Sequence, residues 1–272
     1  MRGPSKEAPR GAVLCVGGLD PSGGAGILAD LRAARAAGAE AFAAVGALTA
    51  QSSGKVFAVR PVPRGWVGEQ VRALATERRF GAVKTGLIAS PASIAELGSW
   101  YRGSKSAGPL VVDPVFDAGE GTRLLSSAGR RAAVRELLPL AALVTPNRME
   151  AELLSGGRIA GPVEAELAAW RIASLGPGAV LIKGGHMEGR PGDLLWDGRE
   201  MRWFRARGRL AGRWHGLGCC LASAIAARLA LGDPLPRAVA RARVLVAAGM
   251  RRALVTPSGR LVAWWGPRPA GR

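Results

Sequence analysis

Short apolar runs alternate with longer amphipathic segments along most of the chain. Runs bounded by glycine, proline or aspartate predict buried strands at 12–16, 40–48, 82–85, 110–112, 142–145 and 179–183. Apolar residues with helical spacing predict helices at 23–37, 64–78, 91–101, 127–137, 147–154, 162–174, 218–231 and 235–248. A hairpin is predicted at 194–196 and 201–205, turning at Asp197-Gly198. This alternation predicts βαβ units around a mostly parallel sheet.

The composition is that of a globular protein. The 272 residues are 48% hydrophobic and 21% charged, and no linker or repeat divides them. We expect one domain over 11–266, with loose tails at 1–10 and 267–272. The apolar runs are far shorter than the roughly 20 residues of a membrane span, and the polar start does not resemble an export signal. The three cysteines, two of them adjacent, exclude a disulfide framework and a four-ligand zinc site, so a reducing cytoplasm is the expected location.

The net charge is +18, from 38 basic and 20 acidic residues. A surplus of this size occurs in nucleic-acid binders, but the sequence has no recognisable DNA-binding motif and no long basic block. A general preference for surface arginine is the simpler account, because only five of the basic residues are lysine. Either account favours phosphate-bearing ligands, and neither nucleic acid nor a membrane is an expected partner.

In a parallel sheet the ligand binds beyond the carboxyl ends of the strands, so the residues that follow each predicted strand matter most. A glycine-rich turn at 17–26 follows the first strand and leads into a helix, which lets backbone N–H groups approach a ligand closely. The turn matches neither the dinucleotide-binding pattern nor the phosphate-loop pattern. Its Asp20 and Ser22 are also suited to a turn and a helix cap.

Two further strand ends carry acidic residues. Asp113 follows the strand at 110–112, and Asn147 and Glu150 follow the strand at 142–145. Asn147 and Glu150 share one face at the start of a helix, where an amide and a carboxylate can hold a hydrated Mg²⁺ through water. The same two residues have the spacing of a capping box. Spacing alone does not choose between a cap and a metal site, and the two are compatible.

Two further segments, one at a strand end and one at a helix start, favour an anion. Lys183 ends a predicted strand and precedes two glycines, which places a scarce lysine where it can meet a phosphate; a surface lysine before a turn is the alternative. Glycines also precede the helix at 218–231, so free N–H groups and the helix dipole favour an anion there. We expect the pKa of Cys219 at this helix start to fall from about 8.5, which would let a thiolate accept a hydroxyl proton. An inert, partly buried cysteine is the alternative.

Taken together, these motifs resemble hydroxymethylpyrimidine/phosphomethylpyrimidine kinase of thiamine biosynthesis, a family with the ribokinase-like fold. The motifs are Gly-x-Asp-Pro-Ser-Gly-Gly-Ala-Gly-Ile at 18–27, Ala50-Gln51, Lys84-Thr85-Gly86, Val-Asp-Pro-Val at 112–115, Thr-Pro-Asn-x-x-Glu-Ala at 145–151, Lys-Gly-Gly-His at 183–186 and His-Gly-x-Gly-Cys at 215–219. Each motif alone is a modest signal, but seven in the family's order are specific. The resemblance implies a three-layer αβα sandwich around a mostly parallel sheet.

The resemblance also implies a reaction. ATP phosphorylates the hydroxymethyl group of 4-amino-5-hydroxymethyl-2-methylpyrimidine, and a second round converts the monophosphate to the diphosphate. The loop with Gly216, Gly218 and Cys219 would form the anion hole for the transferred group. Cys219 would take the place of an Asp base in the wider ribokinase-like group, and Lys183 would meet the nucleotide phosphates.

The remaining implied roles concern the metal and the ring. Asp113, Asn147 and Glu150 would surround Mg²⁺. Gln51 would read the pyrimidine edge, in a pocket lined by Gly18, Asp20, Leu87 and Val115. ATP and Mg²⁺ are therefore the implied cofactors, and a homodimer is the implied assembly.

The chain departs from the family pattern at four positions. The family usually has Gly-Thr-Gly-Cys-Thr at the anion hole, so Leu217 and Cys220 are each expected to remove a hydroxyl from the phosphate-binding end. One lost hydrogen bond to a charged oxygen is worth about ten- to a hundredfold in rate. Leu19 and Leu87 replace the usual Ser/Thr and Met.

Two other functions remain open from the sequence. One is a kinase of the same fold acting on pyridoxine-type rings, which also carry a hydroxymethyl group. The other is a non-catalytic homologue that senses the pyrimidine or its phosphates, in one version while associated with DNA, as the altered anion hole and the +18 charge suggest.

Overall fold

The computed structural model describes residues 11–104, 107–118, 121–184, 192–205 and 212–267. The strands are β1 (Ala12–Leu19), β2 (Glu40–Gln51), β3 (Val56–Pro61), β4 (Ala82–Thr85), β5 (Leu110–Val112), β6 (Ala141–Val144), β7 (Val180–Ile182), β8 (Gly192–Trp196), β9 (Met201–Arg205), β10 (Leu254–Val255) and β11 (Leu261–Val262). The helices are α1 (Gly26–Ala36), α2 (Trp66–Glu77), α3 (Pro91–Gly103), α4 (Ser127–Glu136), α5 (Arg148–Ser155), α6 (Pro162–Ala173), α7 (Leu217–Ala230) and α8 (Leu235–Arg251). None of these helices is long and apolar enough to cross a membrane.

Some predicted features lie outside the described residues. These are the tail at 1–10, the segment 268–272 of the second tail, and Gly185 and His186 of the Lys-Gly-Gly-His motif. The assignment of 11–266 to a single domain stays a prediction.

Nine strands form one sheet in the order β3-β2-β1-β4-β5-β6-β7-β8-β9. The strands from β2 to β7 in this order run parallel to their neighbours. β3 at one edge and β8 and β9 at the other are antiparallel. Because parallel strands end at the same edge of the sheet, the motifs that follow them are brought together there.

Alternate residues of the central strands pack into two cores, one on each face of the sheet. Val13 and Cys15 of β1 pack with buried residues of α1, α7 and α8. Leu14 and Val16 pack on the other side, where α2 to α6 supply the buried residues. A strand buried on both faces gives an uninterrupted apolar run, which is the pattern that predicted β1. The three-layer αβα sandwich implied by the resemblance is confirmed.

The elements differ from the sequence prediction at the start of α1, at the ends of β1 and β2, which extend to Leu19 and Gln51, and in three strands. α1 begins at Gly26 rather than at residue 23, because Asp20 accepts backbone hydrogen bonds from Ser22 and Ala25 and holds the preceding residues in a turn. The short strands β3, β10 and β11 were not predicted. β10 and β11 have two residues each, which is too short for a periodic pattern.

Candidate active site

A pocket of about 210 Å³ opens at the carboxyl ends of the parallel strands. The twelve residues to which the resemblance assigned catalytic, substrate-binding or metal-binding roles all line it: Gly18, Asp20, Gln51, Leu87, Asp113, Val115, Asn147, Glu150, Lys183, Gly216, Gly218 and Cys219. They come from positions 18 to 219 of the chain, so the sheet topology brings them together. Their individual roles stay predictions.

The anion-hole loop leads into α7. Gly216 precedes this helix with φ 77°, a left-handed conformation that favours glycine. A Cβ there would also collide with the backbone of Gly24 and Ala25, so the glycine-rich turn and the anion-hole loop pack main chain against main chain. At Gly218, a Cβ would lie 3.0 Å from Lys183 Nζ. Glycine at these positions therefore keeps the helix start open to the lysine and to an anion.

The pKa of Cys219 differs from the sequence expectation. Burial raises the pKa of this thiol to about 12, although the charge of Lys84 acts in the opposite direction. Desolvation disfavours the thiolate more than the nearby cation favours it. The expected fall of the pKa at the helix start was therefore wrong, and Cys219 is a thiol at neutral pH in this pocket.

A chain of opposite charges connects the strand ends. Lys183 Nζ donates to Asp113 Oδ1 at 2.7 Å and lies 4.0 Å from Glu150 Oε2. Thr145 also donates its hydroxyl to Asp113 Oδ1, at 3.1 Å. Burial would raise the pKa of Asp113, but Lys183 and Lys84 outweigh it and hold the pKa below its usual value. The surface-lysine alternative for Lys183 is wrong, because its side chain is only 14% exposed.

A fully buried ion pair lies beneath this cluster. Lys84 Nζ donates to both carboxylate oxygens of Asp30 at 2.8 Å, and Ser223 donates to Asp30 Oδ1 at 2.8 Å. Lys84 also lies 4.0 Å from Asp113 Oδ2, so the buried pair extends the charge chain inwards. Burial would lower the pKa of Lys84, but Asp30 raises it above its usual value and keeps the ammonium charged.

Asn147 and Glu150 form the helix cap that their spacing allows. Asn147 Oδ1 accepts from the Glu150 N–H at 2.9 Å, and Glu150 Oε2 accepts from the Asn147 N–H at 2.7 Å. Burial raises the pKa of Glu150 to about 7, against the pull of Lys183. Within the described residues, no group of three or more His, Cys, Asp or Glu side chains is arranged to hold a metal directly.

The opposite end of the pocket is built from hydrogen bonds. Asp20 Oδ2 accepts from Ala25 N at 2.9 Å and from His215 Nε2 at 2.8 Å. His215 Nε2 also lies 3.3 Å from Gln51 Nε2. The turn interpretation of Asp20 and Ser22 is confirmed, because Ser22 also donates its backbone N–H and its hydroxyl to Asp20. The helix-cap interpretation is wrong, because α1 has Ala25 at its N-cap and no side-chain capping bond.

The C-terminal hairpin of β10 and β11 joins this end. His215 N donates to Leu261 O at 2.9 Å, and Ser53 Oγ lies 2.8 Å from Ser258 Oγ. Arg260, which is 8% exposed, lines the pocket and donates to Gly54 O at 3.5 Å. The hairpin therefore connects the loop after Gln51 with the segment that leads into the anion hole.

The substitutions at positions 217 and 220 do not lie where they were expected. Neither residue lines the pocket. Cys220 is 1% exposed and belongs to the core between α1, α7 and α8, and Leu217 packs against the same core. The expectation that Leu217 and Cys220 each remove a hydroxyl from the phosphate-binding end is therefore wrong: these positions point at apolar surroundings. Leu87 does line the pocket and is 7% exposed.

Sequence reasoning missed several residues of the site, and the signals for them were weak. Asp30 shares a helix face with Ile27 and Ala34, so an acid within an apolar stripe was the available signal. Lys84 stood in a recognised motif but was given no role. Arg260 gave no signal, because it directly precedes β11 in a hairpin whose two strands have only two residues each.

Comparison with known proteins identifies the family. The phosphomethylpyrimidine kinase family profile matches residues 20–261. The hydroxymethylpyrimidine/phosphomethylpyrimidine kinase of Streptomyces coelicolor is 38% identical over 247 residues, which cover 90% of this chain and 91% of that protein. The thiamine biosynthesis bifunctional protein ThiED of Geobacter sulfurreducens is 40% identical over 93% of this chain, which spans 51% of that longer protein.

Two solved structures are also similar. The phosphomethylpyrimidine kinase from Clostridium difficile superposes with a TM-score of 0.77 at 33% identity, covering 87% of this chain and 98% of that one. The pyridoxal kinase from Staphylococcus aureus in complex with AMP-PCP and pyridoxal gives 0.82 at 30% identity, covering 93% and 92%. The family match, the sequence identities and the shared fold lead to one conclusion: the chain belongs to the phosphomethylpyrimidine kinase family of phosphotransferases.

Proposed function

We propose that this protein transfers the γ-phosphoryl group of ATP to the hydroxymethyl group of 4-amino-5-hydroxymethyl-2-methylpyrimidine, and then to the resulting monophosphate. The observation that carries the proposal is the single pocket that holds the helix start at Cys219, the Asp113–Lys183 pair and the Gln51 amide. The names of the relatives from Streptomyces coelicolor and Clostridium difficile support the substrate. The AMP-PCP complex of the Staphylococcus aureus pyridoxal kinase supports ATP as the donor.

In phosphoryl transfer, a protein contributes mainly by positioning the reacting groups and by neutralising the charge of the phosphates. The substrate hydroxyl oxygen bonds to the γ-phosphorus, the bond from that phosphorus to the leaving oxygen of ADP breaks, and the hydroxyl proton passes to solvent water. The N–H groups around Gly216 and Gly218 stabilise the transferred group, and Lys183 neutralises the phosphate charge. Since Cys219 is a resting thiol, its proposed part is direct contact with the substrate hydroxyl, and it does not start as a thiolate base.

Mg²⁺ is the proposed metal. The capping bonds use only part of the oxygen lone pairs of Asn147 and Glu150. Together with Asp113, these side chains supply the oxygen donors that Mg²⁺ prefers, and contact through water fits the lack of a direct three-ligand cluster in the described residues. When bound, the ion would neutralise charge on the ATP phosphates.

The proposed pyrimidine end has one polar and one apolar component. Gln51 pairs with the ring, as a side-chain amide offers both a donor and an acceptor. Gly18, Leu87 and Val115 form the walls. Asp20 lines the same end, but its oxygens already accept bonds from Ser22, Ala25 and His215, so its part is to shape the turn around the ring.

A pyridoxal-type ring is the second candidate substrate. The observation that favours it is the likeness to the Staphylococcus aureus enzyme solved with pyridoxal, at a TM-score of 0.82 and 30% identity. Both rings carry a hydroxymethyl group, so this group cannot distinguish them. Discrimination between the two substrates would have to come from the ring edge that Gln51 would read. A homodimeric assembly and a cytoplasmic location stay predictions.

ADP release measured with hydroxymethylpyrimidine, its monophosphate, pyridoxal and ribose tests the proposal. We expect turnover of both pyrimidines with a kcat/KM above that of pyridoxal, and none with ribose. Turnover restricted to pyridoxal would favour the second candidate. Binding of the pyrimidine by calorimetry without ADP release would point to a ligand-sensing homologue, and salt-sensitive retention on DNA to its DNA-associated version.

Cys219→Ala tests the anion-hole end. Removing a contact to the reacting oxygen is expected to lower kcat about ten- to a hundredfold with little change in Tm, because Cys219 lies at the pocket wall. Cys220→Ala, one residue further into the core, is the matched control: it should lower Tm and leave kcat nearly unchanged. Wild-type kcat in Cys219→Ala would remove this cysteine from the proposed mechanism.

A further inference from the structure

The amide of Gln51 faces two groups whose hydrogens are already committed. Thr49 Oγ1 lies 2.8 Å from the carbonyl oxygen of Leu19 and 3.3 Å from Gln51 Oε1. A carbonyl oxygen can only accept, so the single hydroxyl hydrogen of Thr49 points to Leu19. Thr49 is then left as an acceptor opposite Gln51.

His215 presents a donor on the other side of the amide. Asp20 Oδ2 already accepts hydrogens from Ser22 Oγ and Ala25 N, so this oxygen acts as an acceptor towards His215 Nε2 as well. Nε2 therefore carries a hydrogen, and this single hydrogen points first to Asp20 Oδ2, the nearer acceptor. The same Nε2 lies 3.3 Å from an NH₂ group of Gln51, which is a second donor.

One rearrangement relieves both conflicts. Turning the Gln51 amide by half a turn places its NH₂ group opposite Thr49 Oγ1, which can accept, and its oxygen opposite His215 Nε2. The amide oxygen there is a second acceptor, after Asp20 Oδ2, of the single Nε2 hydrogen. Amide oxygen and nitrogen are told apart by their hydrogen bonds, so the bonding partners decide the orientation. In this orientation, one N–H and one oxygen lone pair of Gln51 are left over from these two contacts.

We infer that His215, held by Asp20, is a positioning residue that fixes the Gln51 amide so that it offers one donor and one acceptor side by side to a ligand with an aminopyrimidine edge. Such an edge carries the complementary pair, a ring nitrogen that accepts and an amino group that donates. The inference rests on the proposed function. It adds a residue that selects the ring without contacting the reacting atoms.

Packing offers a second way to displace His215. A Cβ on Gly24 would collide with His215 Cδ2 and lie 3.1 Å from Nε2, whereas the φ of Gly24 is not in the left-handed region. Gly24→Ala should therefore move the imidazole without removing any polar group. It complements His215→Leu, which removes the donor.

The test compares hydroxymethylpyrimidine with its analogue that has hydrogen in place of the amino group. For the wild type we expect kcat/KM to favour the amino ring. His215→Leu and Gly24→Ala should each reduce this preference about tenfold through KM for the ring, with KM for ATP unchanged. His215→Gln, which keeps an N–H donor of similar reach, should retain much of the preference for the amino ring. In a Gln51→Leu background, His215→Leu should have no further effect.

The outcomes separate the two levels of the proposal. If Gln51→Leu loses the preference while His215→Leu and Gly24→Ala keep it, His215 does not position the amide. An equal loss of kcat on both rings, with Tm lowered, would show a merely structural role and overturn the inference. If the wild type turns over no pyrimidine at all, the proposed function fails, and the inference fails with it.

Discussion

The two ends of the pocket are held together by different physics. At the phosphate end, charged side chains from strand ends neutralise one another: Asp30 with Lys84, and Asp113 with Lys183. At the ring end, Asp20, His215 and Gln51 form a chain of hydrogen bonds, and a hairpin from near the end of the chain packs against it.

This difference has energetic consequences. Buried charges are costly to leave unpaired, so changes at the phosphate end should affect both folding and catalysis strongly. Hydrogen bonds between a partly exposed imidazole and an amide contribute less to folding but decide which ligand edge fits. We therefore expect large losses from substitutions at the first end and changes in selectivity from substitutions at the second.

Lys84→Met is expected to give the largest loss of stability. Within the described residues, it leaves the buried Asp30 carboxylate with Ser223 as its hydrogen-bonding side chain. A buried carboxylate without its cation should lower the free energy of unfolding by about 3–5 kcal/mol. Urea unfolding measures this loss.

Two variants control for Lys84→Met. Lys55→Met removes an exposed lysine and should change stability by less than about 0.5 kcal/mol. Replacing both partners, with Lys84→Met and Asp30→Leu, should recover much of the lost stability. If the single and double variants are equally unstable, the ion pair is not the cause of the loss.

Lys183→Met should have the largest effect on catalysis. It removes the cation that donates to Asp113 at 2.7 Å and faces the proposed phosphate position. Loss of such a preorganised charge should lower kcat about 10²–10³-fold. ADP release at saturating ATP measures it, with Lys55→Met again as the control. A change in KM for the pyrimidine alone would contradict a role at the phosphates.

The contrast between the two ends also explains what the sequence could predict. Asp113 and Lys183 directly follow or end apolar strands, so the parallel sheet fixes their position and the linear pattern reveals them. The buried strands were predictable for the same reason, because both of their faces are apolar. The hydrogen bond between His215 and Asp20 joins residues 195 positions apart, and no periodic pattern encodes it.

The errors concern desolvation and side-chain direction. The helix dipole predicts an anion site at the start of α7, and that role stays a prediction. Sequence cannot show how much water reaches Cys219, and burial raises its pKa. Similarly, one step along the helix turns Cys220 into the core, so the missing hydroxyl at that position is not lost from the pocket. Both effects depend on the packed structure around the residue.

Alkylation of Cys219 tests the electrostatics of the phosphate end. With a pKa raised to about 12, the thiolate fraction should still be increasing at pH 10, so the iodoacetamide rate should rise without a plateau from pH 7 to pH 10. Mass spectrometry assigns the modified residue, and Cys219→Ala supplies the background from the two buried cysteines. A plateau below pH 9 would show that the pKa of Cys219 is lowered and would restore the base role.

Glu150→Gln is expected to have the smallest effect, and only over a defined pH range. Burial raises the pKa of Glu150 from 4.5 to about 7. Between these values the folded state keeps a proton that the unfolded state has released, so stability falls as pH rises. Glutamine retains the oxygen that accepts from the Asn147 N–H but does not titrate. The stability of the wild type relative to Glu150→Gln should therefore decline from pH 4.5 to pH 7 and stay constant above, as followed by urea midpoints. A difference independent of pH would mean that Glu150 titrates as an ordinary, solvated carboxyl and that the charged end extends no further than Lys183.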